Sequence, residues 1–187
     1  MLATLLVQAA CEPAADPVEV VRGFLEAHRA NRPAALLDVL TDDATIESSD
    51  GRRVQGREAL RALFQWDSAV AREIAIEEFD VRGDTVRAGA LVERSVWLWL
   101  LGIERLVRRP GTTFLVRDSR ITEIRFAALE PESRVMLDRA LADFLPWAEH
   151  EYPDRLHRVR PQGRFAFGAR PAADWLLLLR EWRSGER

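Results

Sequence analysis

Between Asp16 and Arg29 the apolar residues Val20, Val21, Phe24 and Leu25 share one side of a helical wheel with His28, while Glu19, Arg22, Glu26 and Arg29 take the other. That spacing predicts an amphipathic first helix, with Asp16 as its N-cap and Pro17 in its first turn. Leu36, Leu37 and Leu40 predict a short second helix after Pro33. Ala44 to Ser48 then alternate as a short strand behind the turn residues Thr41, Asp42 and Asp43. Gly56 opens a third helix, where Leu60, Leu63 and Phe64 recur at helical spacing. The period then changes. Glu73 to Val81, Thr85 to Leu101, Ile103 to Arg117 and Arg120 to Leu129 read as strands, divided by Gly83-Asp84, Gly102 and Asp118-Ser119. The second of these is long enough to need a bulge. Pro110 cannot donate to a ladder, so it predicts an edge or bulge in the third.

Helical periodicity returns beyond Leu129. Pro131 starts a helix whose Met136, Leu137, Ala140, Leu141, Phe144 and Leu145 share a face, ended or kinked at Pro146. Residues 149–170 are polar, rich in Arg and punctuated by Pro and Gly, and read as an ordered loop or linker. Pro171 opens a last helix with Trp175, Leu178, Leu179 and Trp182 at i, i+3, i+4 and i+7. Long antiparallel strands preceded by helices that can cover one face predict an α+β domain, not a doubly wound sheet.

Composition changes this picture in two places. A net charge of −3 supplies no overall positive field for a phosphate backbone, which argues against nucleic acid as a partner. The single cysteine, Cys11, excludes an internal disulfide and a cysteine metal cage. Its setting, MLATLLVQAAC, resembles the end of a bacterial lipoprotein signal. On that reading Cys11 is lipidated, and the chain is attached to a membrane surface in the periplasm or cell envelope. Against it stand the short apolar run, the lack of a preceding basic residue, and Gln8. Otherwise Cys11 is a free thiol in an apolar N-terminal strand or tail of a cytoplasmic protein. No stretch is long enough for a membrane-spanning helix.

The helix, turn, strand, loop and helix from Pro33 to Phe64 resemble the opening half of the NTF2-like (SnoaL-like) domains, the superfamily of the ketosteroid isomerases. The resemblance implies a cone: a curved, mostly antiparallel sheet wrapped around N-terminal helices over residues 16–129. Residues 130–187 would be a helical C-terminal extension and residues 1–15 a separate apolar segment. In the isomerases a first-helix tyrosine and a late-strand aspartic acid hold the oxyanion, and a first-strand aspartate moves the proton. Those positions fall here on Phe24, Thr112 and Ser48, none of which carries the required group. With Trp66 and Phe114 they would line an apolar cavity offering a few neutral hydrogen bonds. The plainer reading is that these side chains simply fill the cone.

Other constellations are weaker. An Arg with two carboxylates in a buried pocket would be similar to the water-activating site of the limonene epoxide hydrolases in this superfamily, and Glu93, Arg94, Glu104 and Arg105 are the candidates. Adjacent strand residues point to opposite faces, so at most one of each pair can face in, and solvated cross-strand ion pairs are preferred. His150 and His157 with Glu149 and Glu151 fit no standard ligand spacing, and no metal or other cofactor is expected. The Trp175, Leu178, Leu179 and Trp182 face either packs on the domain or offers a sticky surface to a partner protein or a membrane. The leading reading is therefore non-catalytic: a domain that binds a small apolar molecule or serves as an interaction subunit. The alternative is a SnoaL-like isomerase, lyase or hydrolase acting on a small hydrophobic substrate. A homodimer is expected from the resemblance alone.

Overall fold

The computed structural model describes residues 15–185. Helix α1 (Pro17–Arg29) begins where Asp16 accepts a hydrogen bond from the Val18 amide at 2.9 Å, and it buries Val20, Val21, Phe24, Ala27 and His28. Helix α2 (Pro33–Asp38) leads into β1 (Leu40–Glu47), and β2 (Arg53–Gln55) folds back on it before α3 (Arg57–Ala69). The strands β3 (Glu73–Ile76), β4 (Phe79–Arg82), β5 (Thr85–Ala88) and β6 (Leu91–Arg94) follow. After α4 (Val96–Leu100) come β7 (Leu106–Arg108), β8 (Thr113–Arg117) and β9 (Arg120–Arg125). The chain ends in α5 (Pro131–Glu151), α6 (Pro153–Val159), a 3₁₀ turn (Pro161–Gly163) and α7 (Ala169–Gly185).

The fold is α+β with C-terminal helices, but its sheet departs from the expectation of one curved, mostly antiparallel sheet wrapped around the N-terminal helices. The strands form two sheets, one in the order β2-β1-β9-β8-β5-β4 and the other β3-β6-β7. The larger sheet is mixed, because β1 runs parallel to β9 with Ile46 opposite Ile124. Neither sheet curls closed. The reason lies where the long strands of the sequence reading are cut. Gly89 and Ala90 interrupt the stretch expected to run from Thr85 to Leu101, and a side chain at Gly89 would press within 3.3 Å of Glu78. Ser95 then caps a helix, accepting from the Leu98 amide at 3.1 Å, so Trp97 and Trp99 sit on α4 and not on a strand. Pro110 and Gly111, the latter at φ +121°, separate β7 from β8 as expected.

Two apolar cores result. The first lies between α1, α2, α3 and the larger sheet, centred on Phe24, Phe64 and Phe114. The second joins the end of α3 and α4 to the C-terminal helices through Trp66, Trp97, Phe144 and Trp175. Helix α5 runs through Pro146 without ending, and residues 153–159 are helical where a loop was expected. In α7, Trp175, Leu178 and Leu179 are fully buried, and Trp182 meets Phe144 at 5.4 Å between ring centroids. The proposed interaction face is thus consumed inside the chain. Among the described residues no helix is long and apolar enough to cross a membrane. Cys11 lies outside them.

Candidate functional site

Asp67 is the residue around which the site is built. It occupies the stripe of α3 that also carries Leu60 and Phe64, seven and three residues earlier, so helical geometry turns its carboxylate inward with them. Helix α3 stops in a reversed turn: Ala71 takes φ +48°, and the Arg72 amide donates back to the Asp67 carbonyl at 2.9 Å. A non-glycine residue in that conformation costs about 1 kcal/mol. The turn brings the Arg72 side chain under its own helix. Its Nη1 donates to both Asp67 oxygens, at 3.2 and 3.1 Å.

The other end of Arg72 meets Glu93. On β6 the alternation buries Leu91 and Glu93 and leaves Arg94 exposed. Arg72 donates to Glu93 Oε2 from Nε at 3.1 Å and from Nη2 at 2.6 Å, and Arg108 on the adjacent β7 donates to Oε1. Arg108 Nη1 also donates to the Ala127 carbonyl at 2.9 Å, while both guanidinium groups lie over the Phe126 ring at 5.6 and 5.0 Å. Behind Asp67, His28 Nε2 stands 3.4 Å from Oδ2, and both residues are 4% exposed. The result is a buried chain of alternating charge: Asp67, Arg72, Glu93, Arg108.

Burial by itself pushes the Glu93 carboxyl up, but the charges of Arg72 and Arg108 and their hydrogen bonds outweigh it and hold the group at about 2. Burial likewise works against the Arg72 charge, and the carboxylates of Asp67 and Glu93 overcome it, raising the guanidinium above its ordinary range. The two inner members are therefore fixed charges at any ordinary pH.

Above this chain lies a cavity of about 560 Å³ with apolar walls from Ile46, Val54, Leu63, Phe126, Phe165 and Phe167. Asp67, Arg72 and Arg108 reach it from below, and Ser48, Arg52, Arg53 and Arg164 stand around it. Phe165 and Phe167 come from the segment between α6 and α7, so the C-terminal part of the chain supplies one wall. Of the five residues expected to line a pocket, Ser48 is at this cavity, with its hydroxyl bonded to Asp50. Phe24 and Phe114 instead pack together with Phe64 at centroid distances of 6.1–6.2 Å, sealed in the first core. Trp66 packs edge-on to Trp97 at 6.1 Å in the second. Of the four charged candidates on the hairpin only Glu93 faces in, paired to Arg72 and Arg108 and not to Arg94 or Arg105. Among the described residues no cluster of three or more His, Cys, Asp or Glu is placed to hold a metal ion.

Thr112 has become structural. It is completely buried, and its hydroxyl accepts the Ala127 amide at 3.1 Å. Thr112→Val keeps the shape and orphans that amide, so it is expected to lower stability by about 1–3 kcal/mol in urea unfolding. A loss under a few tenths would show that the bond contributes nothing.

The sequence profile of the SnoaL-like domain matches residues 21–124. No curated protein matches this chain in sequence. Among solved structures it is similar to the epoxide hydrolase/cyclase-like enzyme SalBIII, which has a role in pyran ring formation in the polyether salinomycin. The identity is 18% and the TM-score 0.55, over 63% of this chain and 92% of that one. It is also similar to a protein from Kribbella flavida DSM 17836, at 15% identity and a TM-score of 0.52, over 70% and 95% of the two chains. An NTF2-like protein from Burkholderia xenovorans LB400 shares 24% identity at a TM-score of 0.50, over 66% and 94%. At these identities the likeness is one of fold.

Proposed function

The chain belongs to the SnoaL-like domain family, and from that membership we propose that it is an enzyme acting on a small hydrophobic substrate, with Asp67 as the group that takes up a proton. The observation that carries this reading is a buried carboxylate, braced by a guanidinium, at the floor of an apolar-walled cavity of about 560 Å³. Holding an apolar ligand does not by itself call for three desolvated ion pairs beneath it.

The reaction class that fits is attack of an oxygen nucleophile, water or a hydroxyl of the substrate, on an electrophilic carbon such as that of an epoxide. Asp67 accepts the nucleophile's proton as the new C–O bond forms. Arg72 fixes the orientation of that carboxylate through its Nη1, which is shared between both oxygens. The epoxide C–O bond breaks, and the negative charge developing on its oxygen meets Arg108, whose Nη2 has no acceptor among the described residues. The proton held by Asp67 then returns to that oxygen through solvent. The chemistry ascribed to SalBIII, on the same fold, supports this class.

The test is turnover of cyclohexene oxide, styrene oxide and a γ-hydroxy epoxide in ¹⁸O-labelled water. Diol carrying the label, or ring closure of the hydroxy epoxide, is expected. Asp67→Asn, checked for an unchanged circular dichroism spectrum, is expected to lower the rate about 10²–10⁴-fold. An unaltered rate in that variant, or no consumption of any of the three, overturns the reading.

A further inference from the structure

Five arginines line the cavity against one carboxylate, Asp67, in a chain whose overall charge is −3. Four of the five are answered. Arg52 pairs with Asp50 at 2.8 Å and Arg53 with Glu47 at 2.8 Å, both at the mouth. Arg72 and Arg108 are held by Asp67 and Glu93 below. Arg164 forms no ion pair among the described residues, although it stands at the cavity between aromatic walls. We propose that the molecule taken up here is an amphiphile: an apolar body lying between Phe126, Phe165 and Phe167, and an anionic oxygen group, carboxylate or phosphate, held by Arg164. This rests on the cavity being the substrate site, as argued above.

The position of Arg164 is set by its neighbours. The segment carrying it runs from Gly163, at φ +76°, to Gly168, at φ +127°, two conformations that side chains rarely adopt. Between them Phe165 stacks on Trp175 with 4.9 Å between centroids and 12° between planes. Phe167 meets Trp66 edge-on at 6.3 Å. These two anchors clamp the backbone on either side of Ala166, so Arg164 is carried on a held segment and not on a loose loop. A planar guanidinium there can grip two oxygens of a carboxylate or phosphate at once.

Two fluorescent probes of the same ring skeleton separate the terms: 8-anilinonaphthalene-1-sulfonate carries an anion, and N-phenyl-1-naphthylamine does not. The anionic probe is expected to bind the full chain about tenfold more tightly at low salt, with the preference shrinking as salt screens it. Arg164→Gln, a change at an exposed side chain, is expected to erase the preference and leave the neutral probe's affinity as it was. Decanoate and decyl phosphate distinguish the two anion classes by which displaces the probe, and decanol is expected to displace less than either. Equal affinity for the two probes, no binding of either, or an indifferent Arg164→Gln overturns the proposal. Asp67→Asn is expected to keep the probe preference. No consumption of any epoxide by the parent chain, with the probe preference present, therefore overturns the catalytic reading and leaves this inference standing; turnover without the preference does the reverse.

Discussion

Glu93→Gln lowers the stability of the chain by about 3–5 kcal/mol, because it removes the carboxylate that neutralises two buried guanidinium groups and leaves their charge uncompensated. For a chain of this size that corresponds to a fall in Tm of about 6–20 °C. Adding Arg108→Met to Glu93→Gln removes a positive charge along with the negative one. The double variant is expected to lose less than the sum of the two singles, a coupling of at least 1 kcal/mol in a double-mutant cycle. The same group governs the acid limit. The Glu93 carboxyl sits at about 2 in the folded chain against an ordinary 4.5. Its contribution is therefore fully present above pH 4.5 and is lost as pH falls from there through about 2, amounting to about 3 kcal/mol. Urea unfolding at pH 7, 4.5 and 2.5 reads this out. The variant should have a flatter acid slope than the parent. A variant within 1 kcal/mol of the parent at pH 7, with an unchanged slope, would show that the cluster is solvated in solution.

Trp175→Ala is expected to cost about 3–5 kcal/mol. The indole is completely buried, stacked on Phe165 and edge-on to Trp97 at 6.3 Å, with Phe144 at 5.6 Å. Among the aromatic rings of the described residues it is the one paired with all three. Its loss opens the middle of the second core and also unseats Phe165 from the cavity wall. On the proposed enzymatic reading, epoxide turnover should therefore show a raised KM with kcat less affected, even below the melting temperature. Trp175→Phe retains most of the packing and is expected to recover more than half of the stability. If the alanine variant melts within 3 °C of the parent, the C-terminal helices do not stabilise the rest of the chain.

The long helices were legible because each writes its apolar stripe over several turns, whereas the seven-residue α6 read as loop. In α1, Val20, Val21, Phe24 and His28 are buried as their spacing requires. The sheet was less so. VWLWL reads as a strand by residue preference, since Val and Trp favour extended chain, and only Ser95 hints at the helix that forms. The strand break at Gly89 is likewise invisible until Glu78 is known to lie against it. Glu93 could be singled out as one of a pair, but its partners could not. Arg72 follows a helix and Arg108 precedes a proline, and both arrive at Glu93 through tertiary folding. Asp67 did leave a signal: a carboxylate seven residues after Leu60 and three after Phe64 is a charge on the wet side's list placed on the dry side's stripe. The cavity wall from Phe165 and Phe167 left none, because the segment lies outside the region the family profile matches.

The parallel pairing of β1 with β9 has a consequence for the order in which the chain is made. Strand β2 follows within a few residues and can zip onto one edge of β1 as soon as both leave the ribosome. The other edge waits for β9, which begins at Arg120. At ordinary elongation rates that interval is roughly 4–15 s, during which β1 shows unpaired amides and carbonyls to any passing strand. Asp42 and Asp43, both exposed on β1, place like charges on that waiting edge. Their like charges disfavour pairing of this edge with the same edge of another chain.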